Sequence, residues 1–354
     1  MERKDEHLKL AISFHDETKK SDFDLIDFVH NSLPNTNVDN IDISTSIATF
    51  TQSHPFYING MTGGTELTKN FNQKLAILAR ETNTMMGVGS LSVALRHKEI
   101  EDTFKIVRKE NKNGIIFANI GADKSLEEAK KAVHLIDANG IQIHINPAQE
   151  IIMPEGERDF TKWIENIENI ISNVGVPVIV KEVGFGMSRE TIKLLKSIGA
   201  KSIDISGKGG TNFGKIENSR RKKDSLVFLE EYGFSTAESL LEAQEFVSNT
   251  EIISSGGIRN TYDIVKSLAL GAKSTSMAGK FIMLVNDIDI ENAIDIVNNW
   301  KYQIKSIMAL IGANNINELQ EKDILIRGKL NEFARLRNID VQALANRKWF
   351  ILNF

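Results

Sequence analysis

The sequence predicts an α/β fold: a closed (β/α)8 TIM barrel with N-terminal and C-terminal extensions. Eight short apolar runs rich in β-forming residues recur along the 354-residue chain. The stretches between them carry helical spacing, as at Leu126, Ala129, Val133 and Ile136. This alternation indicates parallel strands joined by crossover helices. Eight such units favour a closed barrel over an open doubly wound sheet.

The eight predicted strands lie at residues 55–60, 86–89, 114–119, 141–145, 176–181, 202–206, 251–255 and 272–276. A helix is predicted after the first strand, from about residue 66 to 80, and helical spacing from Ile294 to Leu310 predicts another in the tail. Because no low-complexity linker interrupts the chain, we expect one elaborated domain over residues 1–354. Its parts are an N-terminal substrate-binding segment at 1–50, a barrel core at about 55–285 and a C-terminal helical extension at 286–354.

Composition excludes several classes of protein. The net charge is −4, so no general electrostatic attraction to nucleic acid is expected. The chain has no cysteine, which excludes disulfides, thiolate catalysis and cysteine-ligated metal sites. No apolar stretch is long enough to span a bilayer, so no membrane association is expected. The charged N-terminus lacks the apolar core of a signal peptide, which predicts a cytoplasmic protein.

Two glycine-rich turns follow the sixth and seventh predicted strands. Residues 206–211 read Ser-Gly-Lys-Gly-Gly-Thr, and residues 254–259 read Ser-Ser-Gly-Gly-Ile-Arg. A strand that ends in such a turn exposes backbone N–H groups that can bind a phosphate. The pair therefore predicts a phosphorylated cofactor at one end of the barrel.

Polar residues stand at the carboxyl ends of the other strands, where barrel active sites are built. These positions are Met61, Thr62, Gly63, Gly64, Ser90, Asn119, His144, Asn146 and Lys181. A lysine at a strand end can form a Schiff base, balance the charge of a cofactor anion or pair with a carboxylate such as Glu182. Beside a flavin, Lys181 suits the electron-rich N1–O2 edge.

Three further groups of residues have both a functional and a structural interpretation. Gln149 and Glu150 suit Mg²⁺, although such a pair is common at a helix start or on a solvated surface. Arg3, Lys4 and His7 form a cationic cluster suited to a diphosphate, although charged N-termini are commonly disordered. Residues 212–235 exceed what a short loop and a helix need, and they include the basic run 220–223. This insertion is either a lid or anion-binding loop at the active site, or a solvated basic loop.

Taken together, the motifs resemble those of the type 2 isopentenyl-diphosphate isomerases, which are flavin-dependent (β/α)8 enzymes. The resemblance covers essentially the whole chain and involves all eight strand ends. The motifs are Arg3-Lys4-x-x-His7, Ser21-Asp22-Phe23-Asp24, Asn59-Gly60-Met61-Thr62-Gly63-Gly64, Gly87-Val88-Gly89-Ser90, Asn119-Ile120-Gly121-Ala122, Gln142-Ile143-His144-Ile145-Asn146-Pro147-Ala148-Gln149-Glu150, Pro154-Glu155-Gly156, Val180-Lys181-Glu182-Val183-Gly184-Phe185-Gly186, Ser206-Gly207-Lys208-Gly209-Gly210-Thr211-Asn212-Phe213, Ser255-Gly256-Gly257 and Ala269-Leu270-Gly271-Ala272.

The resemblance implies interconversion of isopentenyl and dimethylallyl diphosphate, with FMN, Mg²⁺ and NADPH as reductant. It also implies a homo-tetramer or homo-octamer. The FMN contacts it implies are Met61, Thr62, Gly63, Gly64, Ser90, Asn119, Lys181, Ser206 and Thr211, with the phosphate held at Gly256, Gly257, Arg259, Ala278 and Gly279. The implied diphosphate contacts are Arg3, Lys4 and His7, with His144, Asn146 and Gln149 around the substrate and Glu150 on Mg²⁺. Reduced flavin is expected to act as the acid–base group, with Gln149 as an orienting or relay residue.

Two positions depart from the family pattern. Ser92 stands where relatives place a basic residue two positions after the serine matched by Ser90, so Arg96 is the nearby candidate for a diphosphate contact. The last turn reads Ser276-Met277-Ala278-Gly279-Lys280-Phe281 in place of an Ala-Arg-Pro-Phe ending. Gly279 still supplies a backbone donor there, and Lys280 still supplies charge.

Two alternative functions are open to such a barrel. The first is an FMN-dependent hydroxyacid oxidase or dehydrogenase, but those enzymes place His and Arg at the sixth-strand turn, where this chain has Lys208 and no histidine. The related nucleotide dehydrogenases need a nucleophilic cysteine, which is absent. The second alternative is a non-catalytic phosphate-binding barrel, against which bound flavin in the purified protein would argue.

Overall fold

The computed structural model describes residues 2–16, 18, 20–61 and 63–347, with side chains from residue 4 onward. Two predicted site positions, Thr62 and the side chain of Arg3, lie outside the described part. The strands are β1 Ile26–Phe28, β2 Thr45–Ile47, β3 Phe50–Gln52, β4 Phe56–Ile58, β5 Met86–Gly87, β6 Ile116–Gly121, β7 Gly140–His144, β8 Val178–Lys181, β9 Ser202–Asp204, β10 Glu251–Ser255, β11 Ser274–Met277 and β12 Ile324–Ile326.

The helices alternate with the strands along the chain. They are α1 Glu2–Ser13, α2 Glu66–Thr82, α3 Asp102–Glu110, α4 Leu126–Leu135, α5 Pro147–Ile152, α6 Trp163–Asn173, α7 Arg189–Ser197, α8 Phe213–Ser219, α9 Thr236–Glu242, α10 Thr261–Ala269, α11 Gly279–Asp287, α12 Ile290–Ile311, α13 Ile316–Gln320, α14 Gly328–Leu336 and α15 Val341–Ala345. Several begin at a capping box, as where Ser125 and Glu128 satisfy each other's backbone N–H groups at the start of α4.

Strands β4 to β11 form the closed parallel barrel that the sequence predicts. They pair in chain order, and β11 closes the ring on β4, with Thr275 opposite Phe56. Each of the eight predicted runs overlaps a barrel strand, so the fold class is confirmed. Parallel strands covered by helices are buried on both faces, which explains why the runs are apolar rather than alternating.

The β2–β3 hairpin closes the N-terminal end of the barrel. Thr45 Oγ1 donates to the Lys273 carbonyl at 2.6 Å, and the Ala48 N–H donates to Glu251 Oε2 at 2.8 Å. Both partners lie where β11 and β10 begin. Ile47 is fully buried among barrel side chains that include Phe117. The hairpin therefore fills this end with apolar side chains.

The two extensions pack on the outside of the barrel and on each other. α12 is the helix predicted in the tail, and it lies against α2 and α10. The tail is not wholly helical, because β12 pairs antiparallel with β1, with Asp27 opposite Leu325. Three residues paired with a segment about 300 positions away carry too little local pattern to be found from sequence. Among the described residues, no helix is both long and apolar enough to cross a membrane.

Candidate active site

A cavity of about 970 Å³ opens at the carboxyl ends of the barrel strands. Most of the predicted site residues meet on its wall, although they come from α1 and from all eight strand ends. Those on the wall are Lys4, His7, Met61, Ser90, Ser92, Arg96, Asn119, His144, Asn146, Gln149, Glu150, Lys181, Ser206, Thr211, Gly256, Gly257, Arg259, Ala278 and Gly279. A cavity of this size suits a cofactor together with a small substrate.

The two glycine turns lie against each other at one side of the cavity. A Cβ on Gly256 would lie 2.0 Å from the Gly207 carbonyl oxygen, and one on Gly210 would lie 3.0 Å from the Gly257 nitrogen. Gly256 and Gly257 also have φ values of 86° and 68°, in the left-handed region that favours glycine. The sequence needs glycine here because only bare backbone allows this approach, which leaves N–H groups available to an anion.

The N-terminus of α11 lies close to these turns. Its first residue is Gly279, and a Cβ there would lie 3.2 Å from Thr211 Oγ1. No side chain caps this nine-residue helix at Ala278. Its first N–H groups and helix dipole therefore add to the anion-binding character of the turns.

Arg259, predicted at the cofactor phosphate, is held by two carboxylates. Its guanidinium donates to both oxygens of Asp24, at 2.6 and 3.1 Å, and to both oxygens of Asp263, at 2.9 and 3.1 Å. Its backbone N–H also donates to Asp263, at 3.0 Å. Asp24 belongs to the Ser21–Asp24 motif, so this motif anchors the second glycine turn. The side chain of Arg259 is thus engaged in holding the turn.

Lys181 is buried in the cavity wall. Its Nζ donates to the Glu182 carbonyl oxygen at 2.7 Å rather than to the carboxylate considered from sequence. The Glu182 carboxylate instead accepts three backbone N–H groups of residues 184–186 at 2.6 to 3.1 Å. Burial lowers the pKa of Lys181, against the opposing charges of Asp204 and Glu182. The same loss of hydration raises the pKa of Glu182 to about 7.

Asp204 is a fully buried carboxylate at the end of β9 that sequence reasoning missed. It accepts hydrogen bonds from Ser255 Oγ at 2.6 Å, Ser276 Oγ at 3.0 Å, and the backbone N–H of Ser206 and Nδ2 of Asn59, both at 3.2 Å. Burial raises its pKa, while the Lys181 charge and these donors act to lower it. The carboxylate is thus the shared acceptor of four donors inside the barrel.

His144 lies across the barrel at the end of β7. Its Nδ1 is 2.8 Å from Asn119 Oδ1, and its ring lines the cavity. Burial lowers its pKa to about 3, assisted by the positive charges of Lys181, Lys4 and Lys124. The imidazole is therefore neutral at pH 7 and cannot itself serve as a cation for an anionic ligand without taking up a proton.

Gln149 is positioned by a further buried carboxylate, Glu217 of α8. Gln149 Nε2 donates to Glu217 Oε1 at 2.8 Å, and Gln149 Oε1 accepts from Asn146 Nδ2 at 3.1 Å. His7 Nε2 lies 3.2 Å from Glu217 Oε1, in ion-pair range but outside hydrogen-bond alignment. Burial raises the pKa of Glu217, but His7, Gln149 and Arg220 outweigh it, so the net pKa lies below the ordinary value.

The first two residues of the basic run, Arg220 and Arg221, donate hydrogen bonds to protein groups around the site. Arg220 donates to Glu217 at 2.6 Å, to Glu155 at 2.7 Å and to Glu6 of α1 at 3.1 Å. Arg221 Nη1 donates to the carbonyl of Ile152 at the end of α5, also at 2.6 Å. These two side chains are half-buried and engaged by protein acceptors, whereas Lys222 and Lys223 are exposed, and the insertion joins α1 to α5 through α8.

Glu150 lies on the cavity wall beside Gln149. Its carboxylate accepts Asn146 Nδ2 at 2.9 Å and the backbone N–H of Glu157 at 2.7 Å. Among the described residues, no group of three or more His, Cys, Asp or Glu side chains could hold a metal ion. A metal at Glu150 would therefore take most of its ligands from water and substrate, as Mg²⁺ commonly does.

The N-terminal helix reaches the end of β5. Lys4 Nζ donates to the Ser90 carbonyl at 3.4 Å, and Ser90 Oγ donates to Ser92 Oγ at 3.1 Å. Arg96 Nε in turn donates to the Ser92 carbonyl at 3.3 Å. These four residues form one polar edge of the cavity, so Arg96 is close to the position where a basic residue is missing.

Gly63 and Gly64 differ from the other predicted residues because they do not line the cavity. A Cβ on Gly63 would lie 2.0 Å from the Phe104 ring, and the Gly64 N–H donates to Thr103 Oγ1 at 2.9 Å. Both have positive φ, at 144° and 112°. Their glycine character is explained by packing against α3, and their predicted cofactor contact stays a prediction.

Comparisons with known proteins find relatives along nearly the whole chain. Residues 145–326 match the family model described as FMN-dependent dehydrogenase. The chain is 46% identical over 340 residues to isopentenyl-diphosphate delta-isomerase of Staphylococcus aureus strain Newman, covering 96% of this chain and 97% of the relative. The enzyme of strain JH9 gives the same identity and coverage.

Solved structures of similar fold are distant in sequence. A mandelate oxidase variant with a monooxide FMN adduct superposes with a TM-score of 0.63 at 15% identity, covering 91% of this chain and 92% of the other. A flavocytochrome b2 variant with bound sulfite gives 0.62 at 18% identity, covering 89% and 81%. At this level of identity, the similarity supports the barrel fold alone.

Proposed function

Since the chain belongs to the isopentenyl-diphosphate delta-isomerase family, within the FMN-dependent dehydrogenase group, we propose that it interconverts isopentenyl diphosphate and dimethylallyl diphosphate. The observation that carries the proposal is 46% identity over 96% of the chain. The polar cavity at the carboxyl ends of the strands is the place where a barrel performs such chemistry.

We propose that FMN binds in this cavity, with its phosphate at the glycine turns and the N-terminus of α11. The proposal is supported by the close backbone approach of Gly210 to Gly257 and by the uncapped start of α11. Ser206, Asn119 and Lys181 lie on the wall of the same cavity. A buried ammonium there favours negative charge on the flavin ring. When bound in its reduced state, FMN supplies the acid–base group of the isomerisation.

The substrate diphosphate is proposed to bind at the edge formed by α1 and the end of β5. Lys4 and Arg96 supply positive charge to this edge. Arg3 and His7 lie in α1 together with Lys4. We propose that Glu150 would hold Mg²⁺, which would neutralise charge on the bound diphosphate. Charge neutralisation by cations on both sides is the usual way to hold a diphosphate.

The reaction moves a double bond without net oxidation, so one carbon must gain a proton and another must lose one. Glu217 and Glu150, the carboxylates beside Gln149, already accept hydrogen bonds from the protein. Gln149 is neutral and cannot act alone as a general base. We therefore propose that Gln149 orients the substrate, with its own amide fixed by Glu217 and Asn146, while Lys181 stabilises the charge of the cofactor.

The experiment that tests the function is anaerobic incubation of the purified protein with FMN, NADPH, Mg²⁺ and isopentenyl diphosphate. Dimethylallyl diphosphate is the expected product. Absence of product, with flavin bound and reduced, would contradict the isomerase function. Bleaching of oxidised flavin by a hydroxyacid would instead support the oxidase alternative.

Three finer properties complete the proposal. NADPH is the proposed reductant. When NADPH is left out, dithionite should reduce the flavin in its place and restore turnover. A homo-tetramer or homo-octamer is the proposed assembly, which light scattering on the purified protein would measure. The proposed location is the cytoplasm, which fractionation of the source cells would test.

A further inference from the structure

A chain of three buried amides crosses the barrel beneath the cavity. Asn59 Nδ2 lies 3.2 Å from Asp204 Oδ2, and Asn59 Oδ1 accepts from Gln142 Nε2 at 3.2 Å. Gln142 Oε1 accepts from Asn119 Nδ2 at 3.4 Å, and Asn119 Oδ1 meets His144 Nδ1 at 2.8 Å. All three amides are buried, and Gln142 is fully buried. The chain therefore links the Asp204 carboxylate to the imidazole of His144 without solvent.

The direction of every hydrogen bond in this chain is fixed at its Asp204 end. The backbone N–H of Gly60 donates to Asn59 Oδ1 at 2.9 Å, and a backbone N–H can only donate. With its oxygen held by this N–H, the Asn59 amide turns its NH₂ group toward Asp204 Oδ2 and Ser276 Oγ. The backbone N–H of Gly60 thus gives the Asn59 amide a single orientation.

This orientation passes along the remaining amides. Because Asn59 presents an oxygen to Gln142, Gln142 must present its NH₂ group in return and turn its oxygen toward Asn119. Asn119 must then donate to Gln142, which leaves its own oxygen facing His144 Nδ1. An oxygen acceptor at 2.8 Å requires a proton on Nδ1. The ring's other nitrogen, Nε2, is left unprotonated at the cavity.

We propose that Asn59, Gln142 and Asn119 are positioning residues that hold His144 in the Nδ1–H tautomer, so that Nε2 is the only atom of His144 that titrates. An uncharged His144 can then accept a hydrogen bond from a ligand, but it cannot donate one. A proton gained by the ring can only enter at Nε2, where it is in contact with the cavity.

The tautomer has a consequence for anion binding, and this part rests on the proposed function. An ionised diphosphate offers only acceptors, so a diphosphate oxygen beside Nε2 requires a proton between the two atoms. The charged groups around His144 are Lys181 of β8, Lys4 of α1, and Lys124 with its ion-pair partner Asp123 after β6. The three cations oppose protonation of His144 when no ligand is bound, and a bound dianion would offset them. Diphosphate binding is therefore coupled to uptake of a proton at His144.

The test uses the full-length apoprotein labelled with ring-¹⁵N histidine and observed by solid-state NMR. The chain has seven histidines, and the His144 signals are those absent from the His144→Gln variant. The expected spectrum at pH 7.5 has His144 with a protonated Nδ1 and an unprotonated Nε2. A protonated Nε2 with a bare Nδ1 would overturn the proposal.

Variants then test the amide chain itself. Gln142→Met keeps the volume and removes the constraint, so a mixture of the two His144 tautomers is expected; an unchanged pure Nδ1–H form would contradict the relay. Ser267→Ala is the matched control, because Ser267 bonds Ser254 at 3.1 Å inside the fold but outside the chain of amides. If Gln142→Met does not fold, Asn119→Leu decides, because removal of the Nδ1 acceptor should also give a mixture of tautomers, and a pure Nδ1–H form would contradict the proposal.

Inorganic pyrophosphate separates this inference from the proposed function. On binding, it should protonate Nε2 and convert His144 to the imidazolium form. If pyrophosphate does not bind, the proposed location of the diphosphate site is wrong. The tautomer of His144 is still tested independently by the spectrum of the apoprotein. Pyrophosphate bound to the wild type with Nε2 still unprotonated would contradict the coupling.

Discussion

At its N-terminal end the barrel is closed by the β2–β3 hairpin, whereas at its carboxyl end the same strands open into a cavity lined with charge. The polar groups of the closed end have protein partners: Gln52 accepts from the Met85 N–H at 2.8 Å, and His54 meets Thr84 Oγ1 at 3.0 Å. At the open end, Lys181 and Asp204 are buried charges beside a cavity. Buried polarity thus supports folding at one end and binding at the other.

Replacement of Lys181 should have the largest effect on activity. Lys181→Met removes a preorganised positive charge from the cavity wall, and loss of one such group typically lowers turnover by about 100- to 1000-fold. The fold should persist because Asp204 keeps four hydrogen-bond donors. The measurement is the rate of isopentenyl diphosphate conversion beside a thermal melt. Turnover within threefold of the wild type would remove Lys181 from the site.

At the closed end, buried His54 should make the free energy of unfolding depend on pH. Burial lowers the pKa of His54 from 6.5 to about 3, with the charge of Lys301 adding to the effect. Between these pH values the unfolded chain binds more protons, so the free energy of unfolding falls as the pH drops from 6.5 to 3. Each such histidine contributes on the order of 1.4 kcal/mol per pH unit in this window. Denaturant melts at several pH values measure the slope.

His144 is the corresponding histidine at the open end, because burial also lowers its pKa to about 3. His54→Gln should reduce the pH slope of the free energy of unfolding by the contribution of about one proton. Turnover should not change. Pyrophosphate should reduce the contribution of His144 and leave that of His54 unchanged. A slope that pyrophosphate leaves intact, although it binds, would argue that the two ends do not differ in this respect.

Much of the barrel and part of the site follow from local sequence pattern. The apolar runs locate all eight strands, and the strand-end rule brings residues such as His144 and Lys181 to one wall. The same rule would have identified Gln142 and Asp204. Each lies two residues before a predicted strand-end residue, His144 or Ser206, and side chains two residues apart lie on the same face of a strand. These side chains point into the barrel and were missed only because they precede the ends of the predicted strands.

Other partners have no local signal. Glu217 lies in the insertion, and its role depends on α1 and α5 both packing against α8. Asp24 lies 235 residues before Arg259, and nothing in either segment indicates that they pair. A strand of three residues such as β12 forms because β1 is beside it, not because of its own propensity. Contacts of this kind depend on the closed tertiary structure.

Glu217→Gln should have a moderate effect confined to the open end. The neutral amide keeps the volume but loses the charge that holds Arg220 and His7. Without a pure acceptor, the Gln149 amide loses its fixed orientation, so turnover should fall by about tenfold, on the order of one charged hydrogen bond. Steady-state kinetics of Glu217→Gln and Gln149→Ala measure this. The two changes should be non-additive in the double variant, because they act on one contact.

The smallest expected effect lies at the hairpin of the closed end. Ala48 and Thr49 form its two-residue turn with φ values of 47° and 70°, and this geometry favours glycine at the second position. A β-branched residue there is strained, so Thr49→Gly should raise the free energy of unfolding by about 1 kcal/mol. Thr49→Ala is the matched control, since alanine keeps a Cβ at positive φ and should gain less. Chemical denaturation measures the change, and turnover should stay at the wild-type value because Thr49 is exposed at the end opposite the cavity. A loss of activity in Thr49→Gly would mean that the two ends are coupled through the barrel.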